Sequence, residues 1–571
     1  PDTRPDSRFF RHRTELEPAG NGFSRLRGQY ATPLYVLMAL AGLVLLIACA
    51  NVANLLLARG AARQREFAVR LATGAGRGRL IRQLLTENLM LALFAALAGA
   101  LFASWGTRLL VTFISSSRDP VFLDLAPDWR VLLFTIGGAV LTAILFGIAP
   151  ALWAVRVDVA PTLKENARAF SGSGAWLRKG FVVSQVALSL LLAVGAGLFL
   201  NSLRRILAVD SGLDVTSTLL ARPDATSVGL RGPRVSRFFS ELLDRVSSLE
   251  GVRSGALCWA PPVSRGMGIN GVVSIEGRAP QPGEDRVVWS NFVSPRYFET
   301  VGQHLVAGRY FTDHDRAGAP HVTIINQSMA RYFFGNESPL GRKIAPFRGD
   351  DPNVKHDCEI VGVVRDATYS SLKEEPKRVL YVPYAQGPEF LESQNMILAV
   401  RSAGAPASVA RRVREVAARL DRNVLVETET LQSHVDGSLT RERLLAMLSG
   451  FFGGLSLLLV AIGLYGVLAY SVARRTGEIG IRLALGARPS TVLSMILREG
   501  VVLALAGIAL GVAAALASSR AVATLLYGIT PRDTAAFAGA VVAMVLVALL
   551  ATILPARRAA RVDPMVALRY E

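Results

Sequence analysis

Seven stretches of this chain are apolar for long enough that no soluble core could hide them all. A helix needs roughly 20 mostly apolar residues to cross the hydrocarbon of a bilayer. The segments 33–57, 89–112, 130–155, 180–201, 444–473, 500–519 and 534–555 each meet that requirement. The first of them contains no charged residue, and the others carry their charges at the ends. One such segment could be a buried helix of a soluble protein, but seven together could not. The composition agrees: 51% of the 571 residues are hydrophobic and only 19% are charged, and the mean hydropathy is +0.37. A disordered chain and a single water-soluble globule are both excluded.

The formal charge of +19 would ordinarily raise nucleic acid as a partner, but its location argues otherwise. Residues 202–440 hold 29 Lys and Arg against 27 Asp and Glu, whereas the rest of the chain holds 34 against 17. The excess sits beside the apolar segments, as it does in membrane proteins whose cytoplasmic loops collect Lys and Arg. Connectors 58–88, 156–179, 474–498 and 557–571 carry 21 basic residues, and alternation puts all four on one face. The short connectors of the other face, 113–128 and 520–533, carry 3. The first face is therefore cytoplasmic, and residues 202–440 lie outside together with the N-terminal tail. That tail carries six Arg against the rule, and the chain opens at Pro1 with no signal peptide. It reads as a fragment or processed product.

Glycines recur inside the segments at positions 137, 138, 195 and 197 and in the pairs Gly450/Gly454 and Gly507/Gly511. Such small residues let membrane helices approach closely. Asn51 and Asn54 are the polar exceptions near a helix end. No Asp, Glu, Lys or Arg lies deep in any segment, which disfavours a proton-coupled pump.

The strongest signal is an internal repeat. Residues 63–87, RQREFAVRLATGAGRGRLIRQLLTE, align without gaps to 475–499, RTGEIGIRLALGARPSTVLSMILRE, with nine identities in 25. Residues 150–164 match 555–569 at seven of 15 positions. A three-span unit thus occurs twice, and such duplication predicts a pseudo-symmetric bundle. Glu66 and Arg70 stand one helical turn apart, as do Glu478 and Arg482, in the acid-first order that favours pairing. Gly74 and Gly486 then end the helix ahead of the next span. Two readings fit this element: a surface helix held to anionic lipid by its arginines, or a docking element for a cytoplasmic partner. Recurrence in both copies favours docking.

These residues carry a family resemblance. LLIACANVANLLLAR (45–59), REFAVRLATGAGRGRLIRQLLTE (65–87), IGLYGVLAYSVARRTGEIGIRLALGA (462–487) and LPARRAARVDPMVALR (554–569) resemble the FtsX-like and MacB-like ABC transporter permeases, above all those with two permease modules in one polypeptide. VSPRYFETVGQHLVAGRYF (293–311), INQSMARYFF (325–334) and EIVGVV (359–364) resemble that family's periplasmic core domain. The resemblance implies that 62–78 and 474–490 are coupling helices contacting a nucleotide-binding subunit, with Glu66, Arg70, Gly74, Glu478, Arg482 and Gly486 as their marked residues. Against a complete duplicated member, the first module's leading span and periplasmic domain are absent, with tail 1–32 as a remnant.

Residues 202–440 have the texture of a mixed α/β domain. Helices are expected at 234–249 and 407–420, and strands at 271–276, 286–293, 321–326, 359–365, 379–383, 396–401 and 423–428. Gly/Pro-rich breaks at 261–271 and 279–284 suggest two lobes. The ends, 202–212 and 430–443, should continue the spans as a stalk. Asp313, His314, Asp315 and His321 are crowded, but their spacing matches no zinc motif. No GxSxG elbow marks a nucleophile. Cys258 and Cys358 could pair in an oxidising compartment, although sequence alone cannot show them close. No GxxxxGK[ST] phosphate loop occurs, so ATP, if used, is bound by a separate polypeptide.

The expectation is an α-helical polytopic membrane protein of about seven transmembrane helices in two pseudo-repeated three-span modules, with an inserted mixed α/β extracytoplasmic domain. Its parts are tail 1–32, module 33–165, helix 180–201, periplasmic core domain 202–440 and module 444–571. It would sit in the bacterial inner membrane with 202–440 in the periplasm. Its function would be that of a permease subunit coupling ATP hydrolysis by a cytoplasmic ABC ATPase to movement of the outer domain, in export or extraction of a lipid, lipoprotein, peptide or drug. The competing reading is a signalling scaffold that activates an outside partner such as a cell-wall hydrolase. No catalytic, metal or cofactor site is expected and no nucleic acid. Expected contacts are membrane lipid and a periplasmic or outer-membrane partner, and the chain would act either as a homo-oligomer or as a self-sufficient two-module permease.

Overall fold

The computed structural model describes residues 25–62, 77–114 and 173–561, except 265–268, 280, 282, 347–354, 369–371, 374, 389–390 and 392–393, together with single residues between 66 and 76 and parts of 129–144. Three helices come first: α1 (Arg25–Ala62), α2 (Arg77–Ile114) and α3 (Ser173–Leu207). The outer domain opens with β1 (Thr218–Pro223), α4 (Pro233–Ser247), β2 (Val252–Cys258), β3 (Ile269–Val272), β4 (Ser274–Ile275) and β5 (Val287–Val293). It continues with α5 (Tyr297–Val301), β6 (Leu305–Gly308), β7 (His321–Asn326), α6 (Gln327–Phe334), β8 (Lys343–Ala345) and β9 (Cys358–Val364). It closes with β10 (Val379–Pro383), β11 (Ile397–Ser402), α7 (Pro406–Leu420), β12 (Val426–Thr430) and α8 (Leu431–Ser438). The chain then returns to the bundle as α9 (Thr440–Arg474), α10 (Thr476–Ala484), α11 (Pro489–Ser518) and α12 (Thr534–Ala560).

Among the described residues, six helices are apolar and long enough to cross a membrane: α1, α2, α3, α9, α11 with the 3-10 turn after it, and α12. A helix is the form these sequences must take in lipid, because it satisfies every backbone group within the segment. The seventh expected span, 130–155, lies largely outside the described residues; the described positions between 129 and 144 are helical.

The bundle is organised around α3. Its Val182, Val186, Leu190, Val194 and Leu198 are at most 2% exposed, and they pack with Leu464 of α9, Leu503, Ala504 and Ile508 of α11 and Met544 of α12. Two glycines set the closeness. A Cβ at Gly507 would stand 2.5 Å from Val186 Cβ and 2.9 Å from the Val183 carbonyl oxygen, and one at Gly511 would meet the Ala187 oxygen at 2.8 Å. The backbones of α3 and α11 therefore touch where any side chain would separate them. The expected Gly450/Gly454 pair does not behave this way, since both face open space; Gly453, between them, packs on Ala196. Periodicity gave the spacing of the pair, but the rotational phase of α9 against α3 selects its neighbour.

A polar node pins the two halves together. Leu459 O of α9 accepts hydrogen bonds from Asn51 Nδ2 of α1 (2.9 Å) and Gln185 Nε2 of α3 (2.7 Å). Gly463, one turn further along α9, leaves room for both amides; a Cβ there would clash with Asn51 Oδ1 and come within 2.5 Å of Gln185 Oε1.

The outer domain is one sheet of twelve strands, ordered β12-β1-β11-β2-β5-β10-β7-β9-β8-β4, with β3 beside β5 and β6 beside β9. Its two halves join through the single pair Cys258↔Val293, next to the Gly/Pro-rich stretch at 261–271. One half carries α4 and α7 over a core containing Phe239, Leu242, Val409 and Val413. The other half packs α6 over Phe292, Ile325 and Ile360. The expected helices and strands fall within a few residues of their ranges, except that 271–276 divides into β3 and β4, and β1, β2, β6, β8, α5 and α6 are added. Cys258 and Cys358 sit on different strands as unbonded, buried thiols, and burial pushes both up to about 12. The expected stalk is continuous on one side only: α3 runs to Leu207, but the return path breaks at Leu439 between α8 and α9.

Replacing Gly511 by Leu should lower the midpoint of thermal unfolding in detergent, with a cost of about 1–3 kcal/mol for overpacking the α3–α11 contact. Gly454→Leu faces open space and should leave the midpoint within the scatter of surface substitutions. Equal loss in both would contradict this packing.

Candidate functional site

The repeated element forms a hairpin on the cytoplasmic side. Helix α9 ends at Arg474, and after the single residue Arg475 the nine-residue α10 begins. A helix this short is marginal by itself, so packing must hold it. Ile479 is fully buried and packs with Val472, Val492, Ile496, Ala556 and Ala559. Burying such a side chain is worth roughly 1.5–3 kcal/mol. Gly486 then adopts φ +93°, a left-handed conformation that favours glycine. Beside it the Ala487 amide donates to Arg482 O at 2.9 Å. Pro489 opens α11 at its first turn, where a missing N–H costs nothing.

Glu478 and Arg482 lie on the opposite face of α10, about half exposed and paired at 2.5 Å. Arg482 also reaches Met495 Sδ at 3.1 Å. The first copy repeats this geometry: Glu66 and Arg70 pair at 2.6 Å, and Arg70 donates to Gln83 Oε1 at 3.4 Å. Gln83 and Met495 occupy the same place in the two repeats, so each arginine reaches the following span at the same position. Gly74 lies outside the described residues. An exposed i,i+4 pair stabilises a helix by only about 0.3–0.5 kcal/mol. The pairs therefore contribute little to holding the fold and leave a charged, regular surface facing the cytoplasm.

Two residues of this surface gave no warning in the sequence. Leu485 is 82% exposed at the tip of the hairpin, and Ile481, one turn before it, is 43% exposed. They stand apart from the packed face of α10, where Ile479 and Gly480 are buried and Leu483 packs partly buried against the same cluster. Behind the hairpin, Glu499 of α11 pairs with Lys179 of α3 at 2.7 Å and with Arg475 at 3.7 Å. It ties the cytoplasmic ends of three helices together.

At the outer end of α9, Glu442 is 6% exposed and pairs with Lys373 of the outer domain at 2.8 Å and with Arg441 at 3.0 Å. Helix α9 spans 35 residues, roughly 52 Å at 1.5 Å per residue. One continuous element thus reaches from the outer domain to the hairpin. Elsewhere, the crowded set divides: Asp313, His314 and Asp315 lie in a turn, and His321 opens β7. Burial alone would raise the Asp315 carboxyl, but Arg309 donates to both its oxygens at 2.8 and 2.9 Å and holds it below its usual range. Among the described residues no three His, Cys, Asp or Glu side chains group as a metal site.

Comparison with known proteins agrees with this architecture. Residues 38–159 and 450–564 match the FtsX-like permease C-terminal family, and residues 180–416 match the MacB-like periplasmic core domain. The chain is 30% identical over 288 residues to the ABC transporter permease YknZ of Bacillus subtilis, covering 49% of this chain and 70% of YknZ. It is 28% identical over 404 residues to the macrolide export ATP-binding/permease protein MacB of Wolinella succinogenes, covering 69% of this chain and 57% of MacB. The chain thus spans little more than half the length of that relative. The crystal structure of the periplasmic region of MacB from Actinobacillus actinomycetemcomitans aligns with 41% of this chain and 96% of its own length, at 17% identity and a TM-score of 0.29.

If burial of Ile479 holds the hairpin, Ile479→Ala should cost about 2–5 kcal/mol locally and open residues 475–488 to limited proteolysis. Glu478→Gln should leave the cleavage pattern unchanged. Protection that persists in Ile479→Ala would show that something else holds α10.

Proposed function

The chain belongs to the FtsX-like, MacB-like ABC transporter permeases, and from that premise we propose that it turns ATP hydrolysis on a cytoplasmic ATPase into movement of its outer domain. It is a multi-pass bacterial membrane protein whose α/β domain lies outside the cytoplasm. The observation that carries the proposal is the course of α9. At one end α9 adjoins the hairpin that presents Leu485, Ile481 and the Glu478–Arg482 pair; at the other it joins Lys373 through the buried Glu442. A push on the hairpin would travel along a helix whose backbone hydrogen bonds keep its length fixed, and would arrive at the outer domain as a rigid-body motion. Substrate need not cross the bilayer in this scheme: a lipid, lipoprotein, peptide or drug would be handled at the outer face.

The coupling surface would be the hairpin at 475–488 together with the matching Glu66–Arg70 element of the first repeat. At 475–488 the exposed Leu485 supplies an apolar knob and the ion pair supplies a charged rim, the arrangement of a compact docking site. Glu66 and Arg70 supply the corresponding rim in the first repeat. ATP binding and hydrolysis fall to a partner subunit or domain beyond these 571 residues.

Co-purification with the cognate ATPase tests this reading. Leu485→Asp combined with Glu66→Lys and Glu478→Lys should reduce the retained ATPase by roughly tenfold or more, a loss of at least 1.4 kcal/mol, while the outer domain stays folded by near-UV circular dichroism. Lys373→Ala should leave the ATPase bound but uncouple its activity from substrate handling. Full retention of the ATPase by the triple variant would sink the docking assignment.

A further inference from the structure

A single residue makes the bend between α9 and α10. Arg475 leaves the helical region at φ −101° and ψ 13°, the sparsely populated bridge between the helical and extended basins. Its side chain is gripped from outside the hairpin. The guanidinium lies 3.7 Å from Glu499 Oε2 of α11, and Lys179 of α3 meets Glu499 Oε1 at 2.7 Å. The side chain of Glu499 is 17% exposed and those of the two bases 45% each. Among the described residues Glu499 is the sole ion-pair partner of Lys179 and of Arg475.

Glu499 itself is fixed in place. The next residue, Gly500, packs so closely that a Cβ there would collide with Thr552 of α12 and come within 3.2 Å of Leu468 of α9. The post it reaches on α3 is fixed as well, since Arg178 stacks over the Tyr470 ring of α9 at 4.5 Å. The sequence shows what turns Glu499 this way. Glu87 holds the matching place in the first repeat and accepts from Gln83 Nε2 at 3.1 Å. The second repeat has Met495 where the first has Gln83, and a thioether donates no hydrogen bond.

We propose that Glu499 is a positioning residue for the coupling hairpin: by holding Arg475 and Lys179 to one carboxylate, it sets the angle at which α10 leaves α9. The inference rests on the docking reading above, because that angle has a use only where the face carrying Leu485 and Glu478 meets a partner. Ile479 keeps α10 against the bundle, but apolar attraction is non-directional and leaves the short helix free to swing about its buried side chain. A second attachment at the bend removes that freedom. The carboxylate also separates two like charges. Glutamine in its place would keep the shape and lose the charge, so that Lys179 and Arg475 repel across the gap. The bend would then open away from α3.

The test reads the bend in the full chain in phospholipid vesicles, with spin labels on Trp176→Cys at the start of α3 and Leu485→Cys at the hairpin tip. Both positions are well exposed, 74% and 82%, whereas the native thiols Cys49, Cys258 and Cys358 are buried. Glu499→Gln should lengthen and broaden the separation of the labels. The change should shrink in 1 M salt, where charges are screened beyond about 3 Å. Adding Lys179→Gln to Glu499→Gln removes the repulsion and should return the separation toward that of the parent chain. A purely structural role would make the second substitution deepen the damage. In the chain with native Trp176 and Leu485, retention of the cognate ATPase should fall several-fold in Glu499→Gln and recover in the double variant. A separation unchanged in Glu499→Gln, or changed but not repaired by Lys179→Gln, overturns the proposal. A separation that moves and recovers while ATPase retention never changes upholds Glu499 as the residue that sets the bend, and it is then the docking reading that fails.

Discussion

Everything in the membrane half depends on how closely α3 lies against α11 and α9. Lipid tails are as apolar as leucine, so no hydrophobic force drives these helices together, and what remains is packing and hydrogen bonding. Gly507 and Gly511 remove the side chains that would hold α11 away from α3, while Gly463 admits Gln185 and Asn51 to the Leu459 carbonyl. Without that approach the valine and leucine stripe of α3 would lose its partners, and α9 would lose the neighbour that fixes its rotation. The hairpin at its cytoplasmic end and the Lys373–Glu442 contact at its outer end both inherit their positions from this packing.

The repeat was legible because it is written in residue identity. The spans were legible because membrane transfer depends on composition summed over about twenty residues. The sharper details were not, for identifiable reasons. Strand β1, TLLARP, is buried at five of its six positions, and β2 is buried along its last five. Neither alternates, so neither gives the period-two signal of a half-exposed strand. Strands β6 and β8, of four and three residues, exist because β9 pairs with them. Gly450/Gly454 and Gly453 cannot be told apart by spacing, since the choice depends on where α3 lies.

The candidate site divides along the same line. Glu66–Arg70 and Glu478–Arg482 could be read as pairs because the i,i+4 rule is local, and Gly486 could be read as a stop because a helix end favours the left-handed conformation that glycine tolerates. Leu485 could not, because exposure belongs to the tertiary structure: the same segment buries Ile479 and presents Ile481 and Leu485. The display of these two apolar side chains is a property of the fold, not of any one stretch of sequence.

The outer joint of α9 shows why a buried charge is used there. Replacing such a pair with apolar residues is often neutral or stabilising, so stability alone does not explain Lys373–Glu442. What a hydrophobic contact lacks is direction. A leucine on the first turn of α9 could slide across the base of the outer domain and lose little, because apolar attraction is non-directional. A carboxylate only 6% exposed cannot slide without leaving its charge unpaired in a low-dielectric setting, which costs several kcal/mol. Glu442 Oε1 meets Lys373 at 2.8 Å and Arg441 at 3.0 Å, while Oε2 has no partner among the described residues. The joint is therefore specific more than strong. It holds the end of a 35-residue helix to one position on the outer domain, which is what the proposed transmission along α9 would need.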